Sequence, residues 1–160
     1  MSKTDYNLIA IGAGSGGLVS SFIGSAVKAK VALIENNKMG GDCLNTGCVP
    51  SKALISSAKA VQVLKKHSLY GLKNVSYEVD FAQTMARVQE IIAKVEPHDS
   101  VERYSSLGVD CHSGEAMIRS PHEVEGQWSG FDYKKHRGGN RRTAFCTTDS
   151  GFGRRSVFTF

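Results

Sequence analysis

A glycine-rich turn between an apolar strand and an amphipathic helix restricts the fold of this chain more than any other feature. Gly12, Gly14 and Gly17 are spaced as G-x-G-x-x-G directly after the apolar run of residues 6–11. Gly12 permits a tight turn, Gly14 lets the backbone approach a diphosphate, and Gly17 lets helix and strand pack closely. The helix N-terminus then favours an anion. The turn predicts a parallel βαβ unit and a dinucleotide site.

The acid that this kind of site requires follows at the end of the second strand. Residues 30–35 form another apolar run, which ends at Glu35. Its carboxylate can accept hydrogen bonds from the ribose of a bound adenosine. We therefore predict an α/β fold with a Rossmann-like arrangement of strands and helices. A glycine-rich turn of purely structural use is the alternative.

A segment rich in glycine and cysteine follows over residues 40–52. Cys43 and Cys48 are separated by four residues, and a zinc site would normally need a second such pair or two nearby histidines, so we expect no metal site. Cys48 precedes a helix predicted over residues 51–66, where the helix dipole and Lys52 would favour a thiolate. The segment predicts a reactive thiol of low pKa at Cys48, and buried, inert cysteines are the alternative.

The remaining pattern predicts helices and short strands up to Glu125. Two helices are predicted over residues 80–95 and 99–107, and short strands over residues 108–112, over residues 115–119 and around Val124.

No run approaches the roughly 18 apolar residues that a membrane span requires. Cytosolic thiols are normally kept reduced, which suits four cysteines with no export signal. We expect a cytoplasmic protein with no membrane partner.

The segment after Glu125 differs in character from the rest of the chain. Residues 126–160 hold seven basic and two acidic side chains, so this segment supplies the whole net charge of +5. Its sequence shows neither helical nor strand periodicity, which predicts a tail that is disordered or foreign to the fold. An electrostatic contact with nucleic acid is the alternative for its basic residues. No recognition motif accompanies them, and we expect no nucleic-acid partner.

The glycine turn and the segment from Cys43 to Lys52 together resemble the pyridine nucleotide-disulfide oxidoreductase family. The family includes dihydrolipoamide dehydrogenase-like members, and Asp42, Thr46 and residues 96–104 are most similar to its mercuric reductase-like branch. The resemblance implies that Cys43 exchanges with a disulfide substrate and that Cys48 stacks against the flavin of FAD. It also implies FAD contacts at Gly12, Gly14, Gly17, Glu35, Gly40, Gly41, Lys52 and Ala116.

Complete members of this family also carry an NAD(P)H-binding domain and a dimerisation domain, and they act as homodimers on a small-molecule disulfide or a metal ion. The resemblance covers about residues 6–125. We therefore expect residues 1–125 to form a partial FAD-binding domain and residues 126–160 a basic tail, in a truncated and inactive fragment. The alternatives are a non-catalytic nucleotide-binding or thiol-switch module, and a pseudogene product that aggregates through an unpaired sheet edge.

A frameshift is our hypothesis for the tail. Read one base later, the codons for residues 132–145 permit T-T-K-N-I-V-V-A-T-G-A-R-P-F. That reading restores an alanine-threonine-glycine segment, which the family places after the strand near Val124. The nucleotide sequence of the gene decides between a genuine shift, a sequencing error and an unshifted tail.

Overall fold

The computed structural model describes residues 5–120, 123–128, 131–137 and 144–147. The chain has an α/β fold in which a strand, a helix and a strand come first, followed by a series of helices and then a series of strands. In chain order the elements are β1 (Leu8–Ile11), α1 (Ser15–Ala26), β2 (Val31–Glu35), α2 (Gly41–Asn45), α3 (Cys48–Lys65), a 3-10 helix (His67–Tyr70), α4 (Phe81–Val95), a second 3-10 helix (Glu96–Asp99), α5 (Val101–Ser106), β3 (Val109–Ser120), β4 (Glu123–Trp128), β5 (Phe131–Arg137) and β6 (Ala144–Thr147).

The strands form one sheet of mixed direction in the order β5-β4-β3-β2-β1-β6. β6, β1, β2 and the first half of β3 are parallel, and β3, β4 and β5 pair in antiparallel fashion. β2 lies inside the parallel part, and its residues 31–34 are all buried. A strand covered on both faces must be apolar throughout, which explains the uninterrupted run seen in the sequence. The predicted Rossmann-like unit is confirmed.

Two apolar clusters cover the two faces of the parallel strands. On one face Leu18 of α1 and Tyr104 of α5 pack against Leu33 of β2. On the other face Val124 of β4 packs against Ile9 and Ile34. Side chains of successive strand residues point to opposite faces, so both clusters draw on the same strands. The antiparallel strands therefore cover the sheet face opposite to α1.

The short strands predicted over residues 108–112 and 115–119 are one strand. The first half of β3 pairs with β2 as far as Ser113, and its second half pairs with β4 from Gly114 onward. Gly114 has a φ of 150°, a conformation that glycine adopts readily. The sequence shows a break in alternation at this point because the strand changes its partner there.

Strands also occur after Glu125, where the sequence pattern indicates no regular element. β5 pairs with β4, and β6 pairs with all four residues of β1. The β1 edge is thus covered in this structure, whereas aggregation through that edge requires it to be open. The rest of the predicted tail lies outside the described residues. Within the described part of the chain, no helix has the length and apolar character needed to cross a bilayer.

Candidate functional site

The glycine turn connects the end of β1 to the start of α1. Gly12 has a φ of +95°, and its N–H donates to the carbonyl of Ile34 at 2.7 Å, so the turn is tied to the end of β2. Gly14 caps α1 with an extended backbone, and Gly17 is buried. No side chain caps α1 and its first turn contains no acidic residue. The positive end of the helix dipole is therefore not neutralised by a carboxylate of that turn.

Glu35 lies directly beside this turn. Its carboxylate accepts hydrogen bonds from the backbone N–H of Ala13 and, at 2.9 Å, from that of Asn37. An ionised carboxylate offers about four lone-pair positions, so these two bonds leave room for further donors. The structure thus brings together the acid and the turn that the sequence predicts to share a nucleotide.

The glycine- and cysteine-rich segment is largely helical. It contains the short helix α2, capped by Gly40 in a left-handed conformation, and Cys48 is the first residue of α3. The backbone N–H groups of Thr46 and Gly47 both donate to the carbonyl of Asp42, at 3.0 and 2.5 Å. These bonds fold the end of α2 back toward the start of α3, which places Cys43 next to Cys48.

The two cysteines are free thiols in direct contact, and this contact changes the expected acidity. Cys48 is exposed, whereas Cys43 is partly buried. A hydrogen bond with Cys43 is the largest influence on Cys48 and raises the pKa of the Cys48 thiol, while the charge of Lys52 acts in the opposite direction. The prediction of a low pKa at Cys48 is therefore wrong. The sequence shows the helix start and Lys52, but it does not show the neighbouring sulfur.

The two motifs meet at their backbones. The N–H of Gly40 donates to the carbonyl of Ala13 at 2.9 Å. A Cβ added to Gly41, which has a φ of +54°, would lie 2.8 Å from the Cα of Gly14. Real Cβ atoms do not approach a backbone atom so closely, so this position has space only for glycine. The dithiol segment is thus built directly onto the glycine turn.

Two residues of this segment, Asn45 and Gly47, have structural roles that the sequence pattern does not predict. The Asn45 side-chain amide donates to the carbonyls of Met39 and Gly41 at 3.1 and 2.8 Å, which holds α2 onto the loop before it. A Cβ at Gly47 would lie 2.9 Å from the carbonyl oxygen of Asp42. In the sequence, the asparagine and the glycine between the two cysteines could have indicated these roles.

The remaining predicted residues lie at different distances from this junction. Lys52 is exposed on α3, one turn after Cys48, and its charge reaches that thiol. Ala116 lies in β3, beyond the position where Ser113 pairs with Glu35, and packs against the cluster on the sheet face opposite to α1. The structure therefore groups the predicted residues around the glycine turn and the thiols, with Ala116 farther along β3.

A polar cavity of about 440 Å³ opens beside the junction, between α2 and α4. Gly41, Asp42 and Thr46 form one wall, and Gln89 and Glu96 form the other. Small-molecule sites commonly have volumes of roughly 300–1,000 Å³. The concave surface next to Gly41 is therefore large enough for part of a ligand.

The sequence matches the family described as pyridine nucleotide-disulphide oxidoreductase over residues 6–135. It is 35% identical over 126 residues to a dihydrolipoyl dehydrogenase of Acholeplasma laidlawii, covering 78% of this chain and 37% of that protein. It is 29% identical over 119 residues to a dihydrolipoyl dehydrogenase of Bacillus subtilis (strain 168), covering 74% and 25%. A mercuric reductase of Bacillus cereus is 31% identical over 121 residues, covering 76% and 19%. The chain thus spans well under half the length of these relatives.

Proposed function

The chain belongs to the pyridine nucleotide-disulphide oxidoreductase family, and from this premise we propose that it is the FAD-binding front part of an NAD(P)H-dependent disulfide oxidoreductase. The observation that carries the proposal is the backbone contact between Gly14 and Gly41. At this contact the turn that suits a diphosphate lies against the segment that carries the two neighbouring thiols. An enzyme that passes electrons from a flavin to a disulfide needs these two features side by side.

The residues present suit FAD. The start of α1 carries no acidic side chain in its first turn, and Gly41 leaves no Cβ between the two backbones at that point. A diphosphate at the start of α1 would therefore meet the helix dipole and backbone, with no acidic side chain from the first turn of that helix. Glu35 would hold the adenosine ribose and Lys52 would lie near the flavin ring. The proposed FAD contacts are Gly12, Gly14, Gly17, Glu35, Gly40, Gly41, Lys52 and, from β3, Ala116.

FAD, when bound, would supply a carrier for two electrons next to Cys48. The chain itself would carry out the exchange with substrate. A Cys43 thiolate attacks a sulfur of the substrate disulfide, and the other substrate sulfur leaves as a thiol. Cys48 then attacks the Cys43 sulfur, which forms the Cys43–Cys48 disulfide and releases the second substrate thiol. Two electrons and two protons pass from the dithiol to the substrate.

The raised pKa of the Cys48 thiol supports this division of roles. The pKa of Cys48 is raised mainly by its hydrogen bond with Cys43, so Cys48 keeps its proton to a higher pH than an isolated cysteine. A protonated Cys48 can donate to the Cys43 sulfur, which is the arrangement needed when Cys43 is the attacking group. Cys48 is also exposed, and we propose that the flavin covers it in the loaded protein.

The relatives named dihydrolipoyl dehydrogenase and mercuric reductase suggest a small-molecule disulfide or a metal ion as the substrate. We propose a homodimer in the cytoplasm for the whole protein.

The 160-residue chain by itself would hold FAD weakly and would not oxidise NAD(P)H, because the match spans only 19–37% of the relatives' length. We propose that residues 126–160 form a basic tail that arose through a frameshift, and sequencing of the gene tests this proposal.

Absorbance spectra of FAD mixed with the purified chain test the proposal. On raising the pH, the Cys48 thiolate should add absorbance at wavelengths longer than those of the flavin alone. Cys48→Ala should abolish this change, and Cys111→Ala, a thiol on β3, should leave it intact. FAD binding that is indifferent to Cys48 would favour the alternative, a non-catalytic nucleotide-binding or thiol-switch module. Steady oxidation of NAD(P)H would contradict the inactive-fragment proposal.

A further inference from the structure

The helix α4 lies against both of the helices that carry the cysteines. It contacts α3, which begins at Cys48, and it contacts α2, which contains Cys43. Toward α2, its residues Gln89 and Glu96 form one wall of the polar cavity. Toward α3, the guanidinium of Arg87 reaches the backbone of that helix. α4 is therefore in a position to fix one cysteine-bearing helix relative to the other.

Arg87 joins α4 to the first part of α3. Its Nη1 donates to the carbonyl of Ala53 at 3.2 Å, and the hydroxyl oxygen of Ser57 lies 3.5 Å from the same nitrogen. Ala53 is 5% exposed, so little water competes for this bond. A hydrogen bond from a charged donor is stronger than one between neutral groups. Arg87 therefore ties α3 to α4 at a defined point of the α3 backbone.

The anchored carbonyl lies near the cysteine end of α3. Ala53 follows Cys48 by five positions, which corresponds to about 7.5 Å along a helix axis. Over such a short stretch the backbone hydrogen bonds make the helix move as one piece. A tilt or slide of α3 at Ala53 is therefore passed on to Cys48, whereas Cys43 lies on the separate helix α2.

We propose that Arg87 is a positioning residue for the dithiol, which holds the start of α3 so that the Cys48 sulfur stays in contact with Cys43. This inference rests on the proposed thiol exchange, in which Cys48 attacks the Cys43 sulfur and releases the second substrate thiol. That step requires the two sulfurs to meet, so a displaced α3 disfavours formation of the disulfide. Arg87 acts through the backbone at Ala53 rather than on a sulfur.

Equilibration of the 160-residue chain with reduced and oxidised glutathione tests this inference. Glutathione disulfide takes two electrons and two protons from the dithiol, and the products are two glutathione thiols and the Cys43–Cys48 disulfide. Peptide mass spectrometry measures the fraction of this disulfide. Arg87→Met keeps the aliphatic stem but removes the donors, and it should lower the equilibrium constant about tenfold, the effect of one lost charged hydrogen bond.

Two further variants at the same position make the test specific. Arg87→Lys keeps a charged donor and should restore most of the equilibrium constant. Arg87→Gln has a shorter, uncharged side chain, should lose as much as Arg87→Met, and replaces that variant if circular dichroism shows that it does not fold. A loss in Arg87→Lys as large as in the uncharged variants would overturn the proposal.

The pH profile of Cys48 alkylation separates a positioning effect from a charge effect. Contact with Cys43 is the largest cause of the raised pKa of Cys48, so a Cys48 that moves away from Cys43 should react at lower pH. Loss of a positive charge by itself would act in the opposite direction, because cations stabilise thiolates. Arg87→Met should therefore shift the profile to lower pH, and a shift to higher pH would contradict the proposal.

Lys94→Met is the matched control, because Lys94 is also exposed on α4 and its removal also costs one positive charge. It should leave the glutathione equilibrium and the pH profile unchanged. An equal loss in Lys94→Met would overturn the proposal. So would a folded Arg87→Met protein that loses stability but keeps the glutathione equilibrium, since Arg87 would then be purely structural. Neither measurement uses FAD, so failure to bind FAD would contradict the proposed function alone.

Discussion

Gly40 donates its backbone N–H to the carbonyl of Ala13 at 2.9 Å and so joins two segments that lie 27 positions apart in the sequence. Ala13 belongs to the glycine turn, and its own N–H donates to Glu35. The backbone of Ala13 thus links the turn to the acid and to the dithiol segment through one hydrogen bond each. Disturbing one of them should disturb the other two.

Gly41→Ala should destabilise the protein and weaken nucleotide binding. The new Cβ would meet the Cα of Gly14 at 2.8 Å, at a φ of +54°. We expect a loss of about 2–5 kcal/mol in the free energy of unfolding, from left-handed strain plus overpacking. Chemical denaturation measures it.

Gly108→Ala is the matched control for that substitution. Gly108 has a φ of +85° but nothing within 4 Å of an added Cβ. It should cost about 1–2 kcal/mol, from strain alone. Equal losses at the two positions would contradict the close approach of the two motifs.

Gly47→Ala should separate the cysteines without left-handed strain. Its φ is −112°, outside the left-handed region that favours glycine, but the Cβ would lie 2.9 Å from the carbonyl oxygen of Asp42. The end of α2 must then move away from the start of α3. We expect slower formation of a Cys43–Cys48 disulfide under a mild oxidant, followed by peptide mass spectrometry. An unchanged rate would show that this contact does not position the thiols.

Glu35→Gln should weaken ADP binding about tenfold. The amide retains one acceptor oxygen, so one of the N–H groups of Ala13 and Asn37 would face an NH₂ donor, at a cost of about 1.5–3 kcal/mol. Calorimetric titration measures the affinity. Glu90→Gln, an exposed position on α4, is the control and should change nothing. Equal affinity in all three proteins would remove Glu35 from the site.

Cys43→Ala should make Cys48 more reactive at neutral pH. The Cys43 sulfur is the main reason that the pKa of Cys48 is raised, so its removal lowers that pKa and increases the thiolate fraction. The pH profile of alkylation by iodoacetamide, read at the Cys48 peptide, should shift to lower pH. Lys52→Met should shift it to higher pH, because Lys52 lowers the pKa of Cys48. A shift in the reverse direction in either variant would contradict the assigned contacts.

Local features of the fold could be predicted from the sequence. The glycine spacing, the apolar run of β2 and the position of Glu35 depend on short-range geometry, and the structure has them as predicted. Cys48 at the start of a helix is likewise a local feature.

Features that depend on tertiary pairing could not be predicted in the same way. Alternation of side chains does not reveal which strand will be the partner, so the sequence predicts two short strands where β3 changes its partner at Gly114. The pairing of β6 with β1 had no periodicity to indicate it. The raised pKa of Cys48 has the same origin, because Cys43 becomes its neighbour only through the fold of α2 onto α3.

A calorimetric titration of the purified chain with FAD and with ADP tests the central claim most directly. We predict weak but saturable binding of FAD that ADP competes away, with the binding lost in Gly41→Ala and retained in Gly108→Ala. A folded chain that binds neither nucleotide, or that binds them equally well with alanine at position 41, would contradict a diphosphate site at the contact between Gly14 and Gly41.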